Sequence, residues 1–100
     1  MIITGKALEH YKIWFDKYYN DYWTYYQSKP TILNALIINW FDSVGIYVNA
    51  ELDYLHLVWF PTINNNWNFE EHEVKTRQEA IKEAIKKANE IYNEKYSISQ

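Results

Sequence analysis

The chain has no cysteine, and that absence removes a disulfide scaffold, a thiolate metal site and a cysteine nucleophile together. Glycine is nearly as scarce: only Gly5 and Gly45 occur, too few and too far apart for a glycine-rich phosphate loop. The two prolines, Pro30 and Pro61, act as isolated punctuation rather than as a linker. No apolar run approaches the roughly 20 residues a bilayer-spanning helix needs. The opening Met1-Ile2-Ile3-Thr4-Gly5-Lys6 lacks the apolar core and small-residue cleavage site of a secretory signal. A soluble, cytoplasmic protein without a membrane partner is the expectation. A basic excess is also missing. Residues 1–53 carry 4 Lys against 6 acidic residues and residues 54–100 carry 6 basic against 7 acidic, for a net charge of −3. Backbone-driven nucleic-acid binding normally relies on the opposite balance. With 48% hydrophobic residues in 100, the chain reads as one folded domain, residues 1–100.

What the chain has in excess is aromatic rings. Between Tyr11 and Tyr26, nine of sixteen residues are aromatic: Tyr11, Trp14, Phe15, Tyr18, Tyr19, Tyr22, Trp23, Tyr25 and Tyr26. Placed on a helix at 100° per residue they share an arc about half a turn wide, with Lys12, Asp16, Lys17, Asn20 and Thr24 opposite. The segment predicts a single amphipathic helix. Each ring can bury roughly 150–250 Å², more apolar surface than one helix normally needs in a small domain.

Gln27-Ser28-Lys29-Pro30 breaks the pattern, with Ser28 as a potential N-cap and Pro30 in the first turn of the next helix. Ile32, Leu33, Leu36, Ile37, Trp40, Phe41 and Val44 then repeat at helical spacing, predicting a second helix over 31–43 that stops at Gly45 in left-handed conformation. From Ile46 the period becomes two. Ile46, Val48, Ala50 and Leu52 predict one strand, and Leu55, Leu57 and Trp59 a second, joined by a tight turn at Asp53-Tyr54 and ended by Pro61. After Ile63-Asn64-Asn65-Asn66, a third strand is expected from Trp67 toward Val74. Thr76-Arg77-Gln78-Glu79 is a capping box, and Ala80, Ile81, Ala84, Ile85, Ala88, Ile91, Tyr92 and Tyr96 mark one face of a final helix. Its alanine ridge allows close approach to a neighbour. The predicted fold class is α+β: two N-terminal helices, a three-stranded antiparallel meander and a C-terminal helix, in the order ααβββα.

Catalytic and metal chemistry find little support. His10 is placed on the polar side of the first helix and His56 outward on a strand; His72 stands in Glu70-Glu71-His72-Glu73, where a strand would put only two ligand-type residues on a face. A metal site needs three or four. Ser28 and Ser43 sit at helix ends, where capping accounts for them. The expectation is a protein that is not an enzyme and uses no cofactor and no metal.

The strand-strand-strand-helix order, with Thr76-Arg77-Gln78-Glu79-Ala80-Ile81-Lys82 opening the helix, resembles the later part of a double-stranded-RNA-binding domain. That resemblance implies a nucleic-acid-associated module using Lys75, Arg77, Lys82 and Lys86. Against it, Glu79, Glu83, Glu90 and Glu94 form an acidic stripe on the same helix. The aromatic segment favours protein–protein binding, because interface cores are enriched in Tyr, Trp and Phe and depleted in Lys and Glu. On that reading the binding residues are the outer members of the arc, Trp14, Tyr18, Tyr22, Trp23 and Tyr25. A homodimer would be the simplest such assembly.

Two blocks, Trp40-Phe41-Asp42-Ser43-Val44-Gly45-Ile46 and Thr76-Arg77-Gln78-Glu79-Ala80 continuing to Ala88-Asn89-Glu90-Ile91-Tyr92-Asn93, resemble a group of small uncharacterised proteins of bacteriophages and prophages. The resemblance implies an accessory protein that occupies a host protein's surface, including a component of host defence. It carries no active site or ligand onto these residues.

Overall fold

The computed structural model describes residues 2–64 and 73–98. Its first helix, α1 (Gly5–Tyr19), starts in an unusual way. Thr4 occupies the N-cap position, yet its side chain makes no capping bond. The exposed amides are met from the far end of the chain, by two asparagines one turn apart on α4 (Arg77–Ile98). The Thr4 N–H donates to Asn89 Oδ1 at 2.9 Å and the Ala7 N–H to Asn93 Oδ1 at 2.7 Å, while Asn93 Nδ2 donates to the Thr4 carbonyl at 2.9 Å. Gly5 makes this docking possible. Its φ is +60°, and a Cβ there would lie 3.2 Å from the Asn93 carboxamide.

The aromatic segment is not one helix. α1 ends where Asn20 adopts φ 50° and ψ −120°, its N–H still reaching the Asp16 carbonyl. A single 3₁₀ turn (Asn20–Tyr22) and a short helix α2 (Trp23–Gln27) come next. Asn and Asp tolerate left-handed backbone better than other side-chain-bearing residues, so Asn20-Asp21 is the break that helical periodicity alone passes over. The helix α3 (Pro30–Ser43) has Lys29 at its N-cap and Pro30 in its first turn; Ser28 instead donates to the Tyr25 carbonyl at 2.7 Å, closing the preceding helix. At its far end Gly45 has φ +81°, with Gly45 N–H bonded to the Asp42 carbonyl and Ile46 N–H to the Phe41 carbonyl. This is the expected left-handed stop.

The sheet has two described strands rather than three, β1 (Val48–Asp53) and β2 (Val58–Ile63), paired antiparallel with Val48 opposite Ile63 and Asp53 opposite Val58. Among the described residues the α+β fold thus has four helices and a two-stranded sheet, and the expected order ααβββα is not confirmed. Of the expected third strand, Val74 forms an isolated bridge to Trp59, and residues 65–72 lie outside the described residues. The turn is longer than Asp53-Tyr54. It runs through Leu57 at φ 56°, whose N–H reaches the Asp53 carbonyl at 2.8 Å, and it leaves Leu55 and Leu57 exposed. Pro61 sits inside β2 instead of ending it. Trp59 exchanges both backbone bonds with Val74, on the side away from β1, and strand alternation turns the Pro61 nitrogen to that same side. The β1 ladder loses no donor.

Helix α4 is the element on which the others meet. Half of its expected capping box forms: the Glu79 N–H donates to Thr76 Oγ1 at 3.1 Å, while the Glu79 carboxylate accepts from the Thr76 hydroxyl at 3.1 Å rather than from the Thr76 backbone N–H. Ala80, Ala84 and Ala88 are fully buried, and α4 lies against both strands as well as α1 and α3. Tyr11 and Phe15 from α1, Ile37, Trp40 and Phe41 from α3, and Ile85 and Tyr92 from α4 join in one core with Val48 and Ile63 of the sheet. Trp40 is its crossing point, 4.8 Å from Tyr92 and 6.0 Å from Tyr11 between ring centroids.

Losing the Asn93 carboxamide would orphan the Ala7 amide and leave the Thr4 carbonyl with the Leu8 amide alone. Asn93→Ala is expected to lower unfolding free energy by about 2 kcal/mol in urea titration, against about 1 kcal/mol for Thr76→Ala, whose cap is exposed. Equal effects would show that the long-range cap adds nothing beyond an ordinary one.

Candidate functional site

The nine rings divide into three depths. Tyr11 and Phe15 are fully buried, and Trp14, Tyr19, Trp23 and Tyr26 are half-buried. Tyr18, Tyr22 and Tyr25 are 61%, 62% and 57% exposed. The break at Asn20 produces this sorting. α2 packs against α3, so Trp23 turns inward and meets the Phe15 ring edge-on at 5.2 Å, while Tyr22 and Tyr25 stay outside. Of the five residues expected at the binding face, three are thus open to solvent, Trp14 flanks Tyr18, and Trp23 is half-buried against Tyr11 and Phe15.

The exposed tyrosines rest on a continuous aromatic floor. Trp14 lies 5.7 Å from Tyr18 and 5.8 Å from Tyr19, Tyr19 lies 5.8 Å from Tyr26, and Tyr26 touches both Tyr22 and Tyr25 at 6.1 and 5.2 Å. Lysines frame the patch, a feature that sequence reasoning assigned only to the solvent face. Lys17 Nζ stands 5.4 Å from the Tyr18 centroid, Lys29 Nζ 5.7 Å from Tyr25, and Lys12 Nζ 5.5 Å from Trp23. Such exposed cation–π contacts contribute about 0.5–1 kcal/mol each and hold the ammonium groups against the rings. Beneath the patch, burial pushes the Tyr11 phenol up to about 12; the neighbouring Gln27 carboxamide opposes the shift, although neither group completes a well-formed hydrogen bond.

The basic residues of α4 separate. Arg77 and Lys82 line an open cleft of about 640 Å³ between the first turns of α4 and one face of α3, whereas Lys86 pairs with Glu83 at 3.5 Å. Lys75 is exposed just before the helix and is not part of that cleft.

The histidines also depart from expectation. His10 is not on a polar face: it packs edge-on against Tyr92 and Tyr96 at 5.6 and 5.0 Å, and its Nδ1 shares a hydrogen bond with the Tyr92 hydroxyl. The helix begins at Gly5, well before the aromatic run, and α4 covers that side of it. His56 lies in the β1–β2 turn, with Nδ1 2.8 Å from Asp53 Oδ2, and Asp53 Oδ1 accepts the Leu55 and His56 amides at 3.0 and 3.3 Å. His72 and its acidic neighbours Glu70 and Glu71 lie outside the described residues. Among the described residues no three His, Asp or Glu side chains converge as metal ligands, and no helix is long and apolar enough to cross a membrane. Ser43 donates to the Trp40 carbonyl, which accounts for it as a helix-end residue.

Comparison with protein-family models, curated proteins and solved structures finds no match for this chain.

The Asp53–His56 pair gives the turn a defined pH response. Its hydrogen bond to Asp53 raises the His56 pKa above 6.5, and the same bond lowers that of Asp53 below 3.8. The His56 contribution is complete below about pH 6.5 and disappears as pH rises through its folded-state pKa; the Asp53 contribution is complete above about pH 3.8 and disappears as pH falls through its lowered value. The pair is fully formed between these limits. NMR titration is expected to find His56 above its ordinary value, and Asp53→Asn to return it there; an unchanged midpoint in the variant would refute the pairing.

Proposed function

We propose that this protein acts without catalysis, by binding a protein partner through the face formed by Tyr18, Tyr22 and Tyr25 together with the half-buried Trp14 and Trp23. The observation carrying this reading is the division of one aromatic segment into a buried half and a half held open to solvent. Tyrosine suits that position, since its ring supplies apolar contact area and its hydroxyl stays hydrated when no partner is bound. The half-buried floor fixes the rings in place, so less side-chain freedom is lost on association.

The partner class comes from the phage-protein resemblance: a host protein whose surface this small domain would occupy, with inhibition as the consequence. Self-association through the same face is the competing arrangement. The two are separated by sedimentation of the purified chain and by capture of a tagged chain from a bacterial host lysate.

Replacing Tyr18, Tyr22 and Tyr25 together by Ala is expected to leave the monomer's unfolding free energy nearly unchanged, within about 1 kcal/mol, and to abolish capture or self-association. Phe15→Ala, which empties a fully buried site, should instead cost about 3–5 kcal/mol. A triple variant that still captures its partner with undiminished yield would end the proposal.

A further inference from the structure

The cleft between α3 and α4 has a composition unlike the rest of the molecule. Its aliphatic lining comes from Ala35 and the half-buried Ile38 of α3 and the half-buried Ile81 of α4. Helical spacing then places Arg77 and Lys82 on either side of Ile81, and both cationic side chains contribute to the lining. Thr31, Asn34 and Gln78 add hydrogen-bonding groups along the walls. Among the described residues no carboxylate lines the cleft, although the chain as a whole carries a net charge of −3.

Among the described residues neither cation is held by an ion pair. Arg77 lies 5.9 Å from the Trp59 ring centroid, a contact that orients the guanidinium without neutralising it. Glu79, the nearest acid in sequence within the helix, is turned to Thr76 by the capping box. The volume, about 640 Å³, is within the range of small-molecule sites, and an apolar floor with a few convergent polar groups is their usual composition. The cleft also opens at the first residues of two helices, Pro30 and Arg77, where the backbone adds positive potential to that of the side chains.

We propose that this cleft binds a small organic phosphate: an apolar, ring-sized body against the aliphatic lining of Ile38 and Ile81 and its phosphate between Arg77 and Lys82. Phosphate is favoured over carboxylate because three terminal oxygens can be shared by two separated cations, whereas a single carboxylate is satisfied by one bidentate arginine.

The test uses the full chain and phenyl phosphate as probe, monitored by amide NMR. Saturable shifts are expected at Thr31, Asn34, Gln78 and Lys82. Phenol alone and inorganic phosphate alone should each bind at least tenfold more weakly, because each keeps one half of the recognition. Arg77 and Lys82 are both exposed, so the double variant Arg77→Gln/Lys82→Gln should keep its fold and lose at least tenfold in affinity. Ala35→Trp, which fills the aliphatic part of the cleft and leaves both charges, should block the probe equally. Undiminished binding in either variant, shifts confined to the Tyr18–Tyr25 face, or no saturable binding would overturn the proposal. So would a single-stranded oligonucleotide that binds these residues more tightly as its length grows, since that pattern belongs to a polymer site.

Discussion

Two asparagine side chains on α4 complete the first turn of α1, and the arrangement of the other helices depends on that contact. A helix start leaves several amides without partners, and most chains satisfy one of them with a residue next to the helix. Here Thr4 leaves that role to Asn89 and Asn93. Because the contact is directional and short, it sets the position of α1 along α4 as well as the distance between them. Tyr11 and Phe15 are thereby brought to the level of Trp40 and Tyr92, where the core closes. The Gly5 backbone and the buried alanines of α4 keep open the space this approach requires.

Fixed in this way, α1 runs as far as Asn20 and no further. The positive φ there is worth about 1–3 kcal/mol of local strain, the size of one good tertiary contact. Its effect is to redirect Trp23 and Tyr26 toward Phe15 and leave three tyrosines facing solvent. A straight helix would have presented all nine rings on one arc. Division of the arc turns a surplus of aromatic surface into a core and a separate face, with the half-buried rings mechanically joining the two.

The elements whose signals are local could be read from the residues in order. The Thr76–Glu79 box, the Gly45 stop and the alanine ridge each depend on neighbours within a few positions, and each is found where local spacing puts it. Contacts across the chain left weaker marks. Nothing near Thr4 announces that its cap lies on α4; the one sign was the pair Asn89 and Asn93, one turn apart on an otherwise well-defined helix. Alternation likewise misplaced the hairpin, since Leu55 and Leu57 keep the period while Asp53 gathers the succeeding amides into a turn. Within the binding face, the tyrosines were visible by composition, but their exposure depends on the bend at Asn20. The α3–α4 cleft was not legible at all, because Thr31 and Asn34 acquire a common setting with Arg77 only once the two helices pack.

The pairing of α1 with α4 also has a consequence for synthesis on the ribosome. The aromatic segment emerges ahead of Trp40, Tyr92 and the asparagines that finish its first turn, with 85 positions separating Thr4 from Asn89. Until they emerge, α1 has neither its cap nor a cover for Tyr11 and Phe15, and an isolated helix of that length is marginal in water. Over that interval of elongation the nascent chain exposes these aromatic rings. Closure of the core therefore waits on α4, whose Ile85 and Tyr92 complete it.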